Sequence, residues 1–157
     1  MKRFRFIPLL LAIFFNTAVF AQIPGANQKI VKYLDEVMGT KVGRGECWDL
    51  AHDALDGVGA QWDHAYGFGK LVDPDKDTIY PGDIIRFNNV VIKSQTDKGL
   101  VTETYGEHTA IVYEVLEPGK YRIAHQNNGF SGKKVGVSTL IPANKKSGKI
   151  RFYRPVL

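Results

Sequence analysis

The chain is poor in cysteine, with Cys47 the sole one in 157 residues. One thiol excludes a disulfide scaffold and a thiolate-rich zinc site within a single chain. Acid is missing from the front: no Asp or Glu precedes Asp35, whereas Lys2, Arg3 and Arg5 open the chain. With those three cations set aside, 18 Lys and Arg stand against 16 Asp and Glu, so much of the formal charge of +5 belongs to the leading segment. So small a remaining balance makes no case for a nucleic-acid partner, and none is expected. No internal repeat, low-complexity tract or Pro/Gly/Ser linker occurs, and 44% hydrophobic with 24% charged residues excludes collagen-like and disordered classes. The four histidines form no HxxxH or HxH pair, so neither a metal nor another cofactor is expected.

Met1 to Ala21 combines a basic start, an apolar run from Phe6 to Phe15 interrupted by Pro8, and the close Ala18-Val19-Phe20-Ala21. That is the pattern of a secretory signal peptide, with cleavage expected after Ala21. The apolar run is about half of the roughly 20 residues a membrane span needs, so no stable membrane anchor is expected after cleavage. The expectation is export, to a periplasm or out of the cell, of a single domain over residues 22–157. An unpaired cysteine in such a compartment is either a reactive thiol or a small buried apolar residue.

From Asn27 to Met38, Ile30, Tyr33, Leu34, Val37 and Met38 fall on one helical face, with Asn27 as a candidate cap and Gly39 as the stop. A second helix is expected from Glu46 to Asp56, stopped by Gly57, with Ala51, Leu55 and Val58 in line with Cys47. Residues 61–80 read as an ordered loop. Thereafter the period becomes that of strands: Asp83–Phe87, Thr109–Val115, Tyr121–His125 and Lys149–Tyr153. Val90–Ile92 and Leu100–Thr104 flank a hairpin turn at Thr96-Asp97-Lys98-Gly99. Helices followed by a run of strands predict an α+β fold, with N-terminal helices packed on an antiparallel sheet.

Cys47 falls in the first turn of the second helix, directly after Gly43 and Gly45. Free N–H groups and the positive dipole end there are expected to stabilise a thiolate and a developing oxyanion. A nucleophile also needs a base and a group that orients it. His108 at one strand's start and His125 at the next strand's end, across the Pro118-Gly119 turn, can meet at one end of the sheet. Taken alone, each has a plain structural reading: Cys47 as core, His108 as a rim residue, His125 as a solvated strand end. His52, on another helical face, is expected to be solvated.

These residues carry a resemblance. Gly45-Glu46-Cys47-Trp48-Asp49-Leu50-Ala51 resembles the nucleophile helix of the CHAP family (cysteine- and histidine-dependent amidohydrolases/peptidases) and its NlpC-type relatives. Tyr80-Pro81-Gly82-Asp83 resembles their Pro-Gly-Asp strand start. Gly106-Glu107-His108-Thr109-Ala110-Ile111-Val112 is similar to the strand bearing the base, and Ala124-His125-Gln126-Asn127 to the strand end after it. The four motifs cover residues 27–130 in the family's order. The resemblance implies a papain-like fold, Cys47 as nucleophile, His108 as base and then acid, and His125 or Asn127 as the third member. It further implies hydrolysis of an amide bond in peptidoglycan, in the stem peptide or at its junction with the glycan. Two departures stand out: His125 occupies a position where CHAP members often carry Glu, and Asp83 to His108 is long for NlpC-type enzymes, which predicts an extra hairpin at the cleft. A CHAP-like binding module with a structural Cys47 is the alternative function, and a toxin-like exported hydrolase shares the same chemistry.

Overall fold

The two amphipathic segments form helices: α1 over Gly25–Val37 and α2 over Cys47–Gly57. The computed structural model describes residues 22–97, 99–129 and 131–157. The expected signal peptide, Met1 to Ala21, and with it the cleavage site, lies outside the described residues. α1 buries Ile30 and Leu34, and α2 buries Leu50, Ala51, Ala54 and Leu55. Both stripes pack on one face of the sheet, against Phe68, Ile84, Ile111, Ala124 and Tyr153. No helix among the described residues is long and apolar enough to cross a membrane.

Asn27 does not cap α1. The helix begins after Pro24, and Asn27 is fully buried within it. Its amide donates to Pro81 O at 2.9 Å and to the Asp83 carboxylate at 2.8 Å. Asp83 is the cause: fully buried, it also accepts from the Arg154 guanidinium at 2.8 Å and from the Tyr80 N–H at 2.9 Å. A buried carboxylate needs this many donors. The Pro-Gly-Asp motif is therefore a clasp tying the first helix to the last strand.

Among the described residues six strands follow: β1 (Lys70–Val72), β2 (Ile84–Thr96), β3 (Gly99–Glu117), β4 (Lys120–His125), β5 (Gly136–Leu140) and β6 (Lys145–Arg154). All neighbours are antiparallel, in the order β1-β6-β2-β3-β4-β5. The α+β class is as expected, with three differences in detail. Within the supposed loop 61–80, β1 forms because Leu71 pairs with Tyr153 of the last strand, a contact no local period announces. β5, which was not anticipated, exists through its pairing with β4. The expected extra hairpin is not separate: it continues β2 and β3 outward past an irregularity at Asn89, which has a left-handed φ of 50°.

The face away from the helices is buried as well, by Ile85, Phe87, Val112, Tyr121, Ile123 and Phe152 among others. Tyr121 on β4 and Phe152 on β6 meet with ring centroids 5.6 Å apart and planes tilted by 59°. Three strand steps separate them, about 14 Å in a flat sheet. The sheet must therefore curl, and its inner face closes on itself as a second core.

Candidate active site

The turn before α2 sets the position of Cys47. Gly45 has φ +86°, and a Cβ there would lie 2.9 Å from the Lys133 side chain, so glycine is needed at this approach. The Asp49 carboxylate accepts from the backbone N–H of Arg44 at 2.8 Å and of Glu46 at 3.3 Å, and pairs with the Arg44 guanidinium at 2.6 Å. Buried Gln126 fastens the same turn from β4: it accepts from Val42 N–H and donates to Val42 O and Glu46 O. Cys47 is consequently the first residue of α2, held by a carboxylate and an amide that both bind the backbone of the turn before it.

Cys47, His108, His125, Asn127 and Ser138 line one open cavity of about 760 Å³. α2 packs on β3, and the Thr109 N–H, next to His108, reaches the Cys47 sulfur together with the N–H of Trp48. His108 Nε2 and His125 Nδ1 are 3.0 Å apart and buried. His125 Nε2 lies 3.0 Å from Ser138 Oγ. Tyr105 donates its hydroxyl to Glu103 at 3.0 Å, and its ring lies 6.3 Å from that of His125. A lone pair on His108 Nδ1 requires His108 to donate from Nε2 to His125 Nδ1 and His125 to donate from Nε2 to Ser138 Oγ, and both distances allow it.

Of the two candidates for the third position, His125 lies against His108 and Asn127 does not. Asn127 has a left-handed φ of 57° and turns its amide to the Glu46 carboxylate, 2.5 Å away, instead of to His108. Lys133 holds the other Glu46 oxygen at 2.7 Å.

Electrostatics depart from expectation. Burial pushes the Cys47 thiol above its ordinary value, outweighing the nearby N–H groups, and the Glu46 charge pushes the same way. At the helix start expected to hold a thiolate, desolvation of the anion outweighs the N–H groups of Thr109, Trp48 and Cys47 that favour it. Burial lowers His108 to about 4, and burial with the neighbouring His108 lowers His125 to about 3. The resting site is a neutral thiol beside two neutral imidazoles.

Ser138 and Tyr105 were missed by the sequence reading, as was the role of Gln126. Ser138 sits on the unanticipated β5, opposite Ile123, and Tyr105 on the outer part of β3. No short motif marks either; only the strand pairing brings them to His125. His52 also differs from expectation. It is half-buried, packed 4.8 Å from Trp48 and bonded to Asp53 and Asp56 at the far end of α2, outside the cavity.

A cysteine at the start of a helix, packed on an antiparallel sheet that carries paired histidines, defines the cysteine-proteinase class of fold. Within it, this chain belongs to the AIM3/BBC1 cysteine proteinase-fold domain family, whose profile matches residues 25–157. A curated relative, altered inheritance of mitochondria protein 3 of the yeast Debaryomyces hansenii, is 28% identical over 148 residues, which span 83% of this chain and 16% of that protein. Among solved structures, Ly7917 with the hydrolyzing product of MDP is similar in fold, at TM-score 0.51 and 15% identity over 82% of this chain and 62% of that one. A second Ly7917 crystal structure aligns at TM-score 0.45 and 14% identity, over 81% of this chain and 62% of that one.

Proposed function

We propose that this domain is a cysteine hydrolase of the CHAP/NlpC type that cleaves an amide bond. Cys47 is the nucleophile, His108 the base and then the acid, and His125 the residue that orients His108. One observation carries the reading: the Cys47 thiol and the His108–His125–Ser138 chain open into one solvent-accessible cavity. Both partners start neutral, so the thiol proton passes to His108 Nδ1 as the sulfur attacks the carbonyl carbon. The tetrahedral intermediate collapses, the C–N bond breaks, and His108 returns the proton to the leaving amine. His108 then takes a proton from water as that water attacks the thioester, releasing the acid and restoring the thiol. His125 accepts from His108 throughout and keeps Nδ1 aimed at the reacting centre.

The rim of Thr102, Glu103, Glu107, Asn127 and Asn128 supplies polar donors and acceptors that suit a peptide or glycopeptide better than an apolar ligand. The substrate proposed is an amide of peptidoglycan, in the stem peptide or at the glycan junction, met after export to a periplasm or beyond the cell. That Ly7917 was solved with a hydrolyzing product supports hydrolysis on this fold. The test is mass spectrometry of purified sacculi treated with the protein. New amine and carboxyl ends with wild type, and none with Cys47→Ala or His108→Gln, are the expected result. Product release by Cys47→Ala equal to wild type refutes the assignment.

A second reading rests on the electrostatics. The raised thiol and neutral histidines also suit a silent binding module, and the yeast relative is named for mitochondrial inheritance, not hydrolysis. Binding of sacculi without cleavage, unchanged in Cys47→Ala, is its signature.

A further inference from the structure

The far end of α2 gathers a second set of chemically capable side chains. His52 and Asp56 are one turn apart on one helical face, and His64 faces them from the loop before β1. One ligand atom from each, drawn from His52, Asp56 and His64, lies within 4.8 Å of the others. None of the three lines the Cys47 cavity. We propose that His52, Asp56 and His64 bind a zinc ion that clips this loop to α2.

Second contacts orient each ligand. His52 Nδ1 lies 2.8 Å from an Asp53 oxygen, and a hydrogen donated there leaves Nε2, on the Asp56 side, as the nitrogen that would hold the ion. A carboxylate behind a histidine in this way is the usual support of a metal-bound imidazole. The Trp62 indole donates to Asp56 Oδ1 at 2.8 Å, leaving Oδ2 directed at His52. Trp62 also packs against His64 at 4.6 Å and His52 at 5.7 Å, walling one side of the site. His64 holds a left-handed φ of 53°, a conformation unusual for a non-glycine residue, and its Nδ1 comes within 3.7 Å of the Asp56 carboxylate.

The spacing fits the ion. Tetrahedral zinc with bonds of about 2.0–2.2 Å holds ligand atoms roughly 3.3–3.5 Å apart. His52 Nε2 is already 3.3 Å from Asp56 Oδ2, and the three ligand atoms lie within 4.8 Å of one another. Rotation of the exposed His64 ring closes the rest. Two imidazoles with one carboxylate favour zinc over calcium or magnesium, which prefer all-oxygen sets. Three protein ligands leave the fourth position to water.

The experiment is zinc titration of chelator-stripped protein, followed by calorimetry and by thermal unfolding. Wild type and Cys47→Ser are expected to take up one zinc each and to gain thermal stability with rising zinc. Asp53→Asn should weaken binding by about tenfold or more, as loss of an outer carboxylate does. His64→Ala, a change at an exposed loop position, should weaken it further and abolish the thermal gain. Two results overturn the proposal: no uptake at tens of micromolar zinc, roughly the range where a weak three-ligand site saturates, or uptake lost in Cys47→Ser and retained in His64→Ala, which puts the ion at the catalytic cysteine. The first outcome leaves an ordinary cluster of histidine–carboxylate pairs.

Discussion

Acidification should unfold this domain through two histidines. His108 and His125 are buried and neutral, at about 4 and about 3, whereas an unfolded chain titrates histidine near 6.5. Below that value the unfolded state binds a proton at each site that the native state refuses. Stability therefore falls with falling pH, and goes on falling until the folded values are reached. Above about pH 7.5 neither state is protonated and the effect vanishes. Between pH 7 and pH 5 each histidine costs about 2 kcal/mol, and the pair about 4 kcal/mol, a large part of the roughly 5–15 kcal/mol that holds a domain together. Carboxylates, with unfolded values near 4, contribute little in that window. Urea melts at half-unit pH steps read the loss directly. His125→Gln should halve it to about 2 kcal/mol, because one neutral imidazole remains. A variant with the same pH slope as wild type, or a wild-type slope near zero from pH 7 to 5, refutes the claim that both rings are buried and neutral.

Further outcomes follow from the same structure. Cys47 should react slowly with iodoacetamide at pH 7, with a rate that climbs only above the thiol's ordinary range, and faster once urea opens the fold; rapid alkylation at pH 6 contradicts the burial argument. Ser138→Ala removes the partner of His125 Nε2, so turnover should fall while KM stays near wild type, and stability should drop by about 1–2 kcal/mol in urea melts. Asp83→Ala leaves the Arg154 guanidinium and the Asn27 amide without their acceptor. Its expected cost is about 3 kcal/mol, at the low end for a broken buried pair because Arg154 is partly exposed, and a loss under 1 kcal/mol counts against the clasp.

The reach of local pattern varies residue by residue. Ile30 with Leu34, and Ala51 with Leu55, repeat at helical spacing, so both helices are legible without any contact map. Cys47 after Gly45, and His108 after Gly106, were legible for the same reason: the turn and the residue it presents are neighbours in sequence. Asn27 misled because a capping residue and a buried donor look alike until its partner, Asp83, is placed. His52 and Asp56 stand one turn apart in the sequence, but His64 joins them only through the fold of the loop before β1.

Sequence by itself determined the elements whose causes are local: two amphipathic helices, the strands with β-branched runs, and a lone thiol at a helix start. Tertiary structure alone decided what depends on distance and solvent. β1 and β5 exist because other strands pair with them, and the curled sheet brings Ser138 and Tyr105 to His125. The charge states belong to the same class, since a thiol at a helix N-terminus is lowered by its dipole but raised by burial. Only packing fixes how much water is excluded, and here burial prevails.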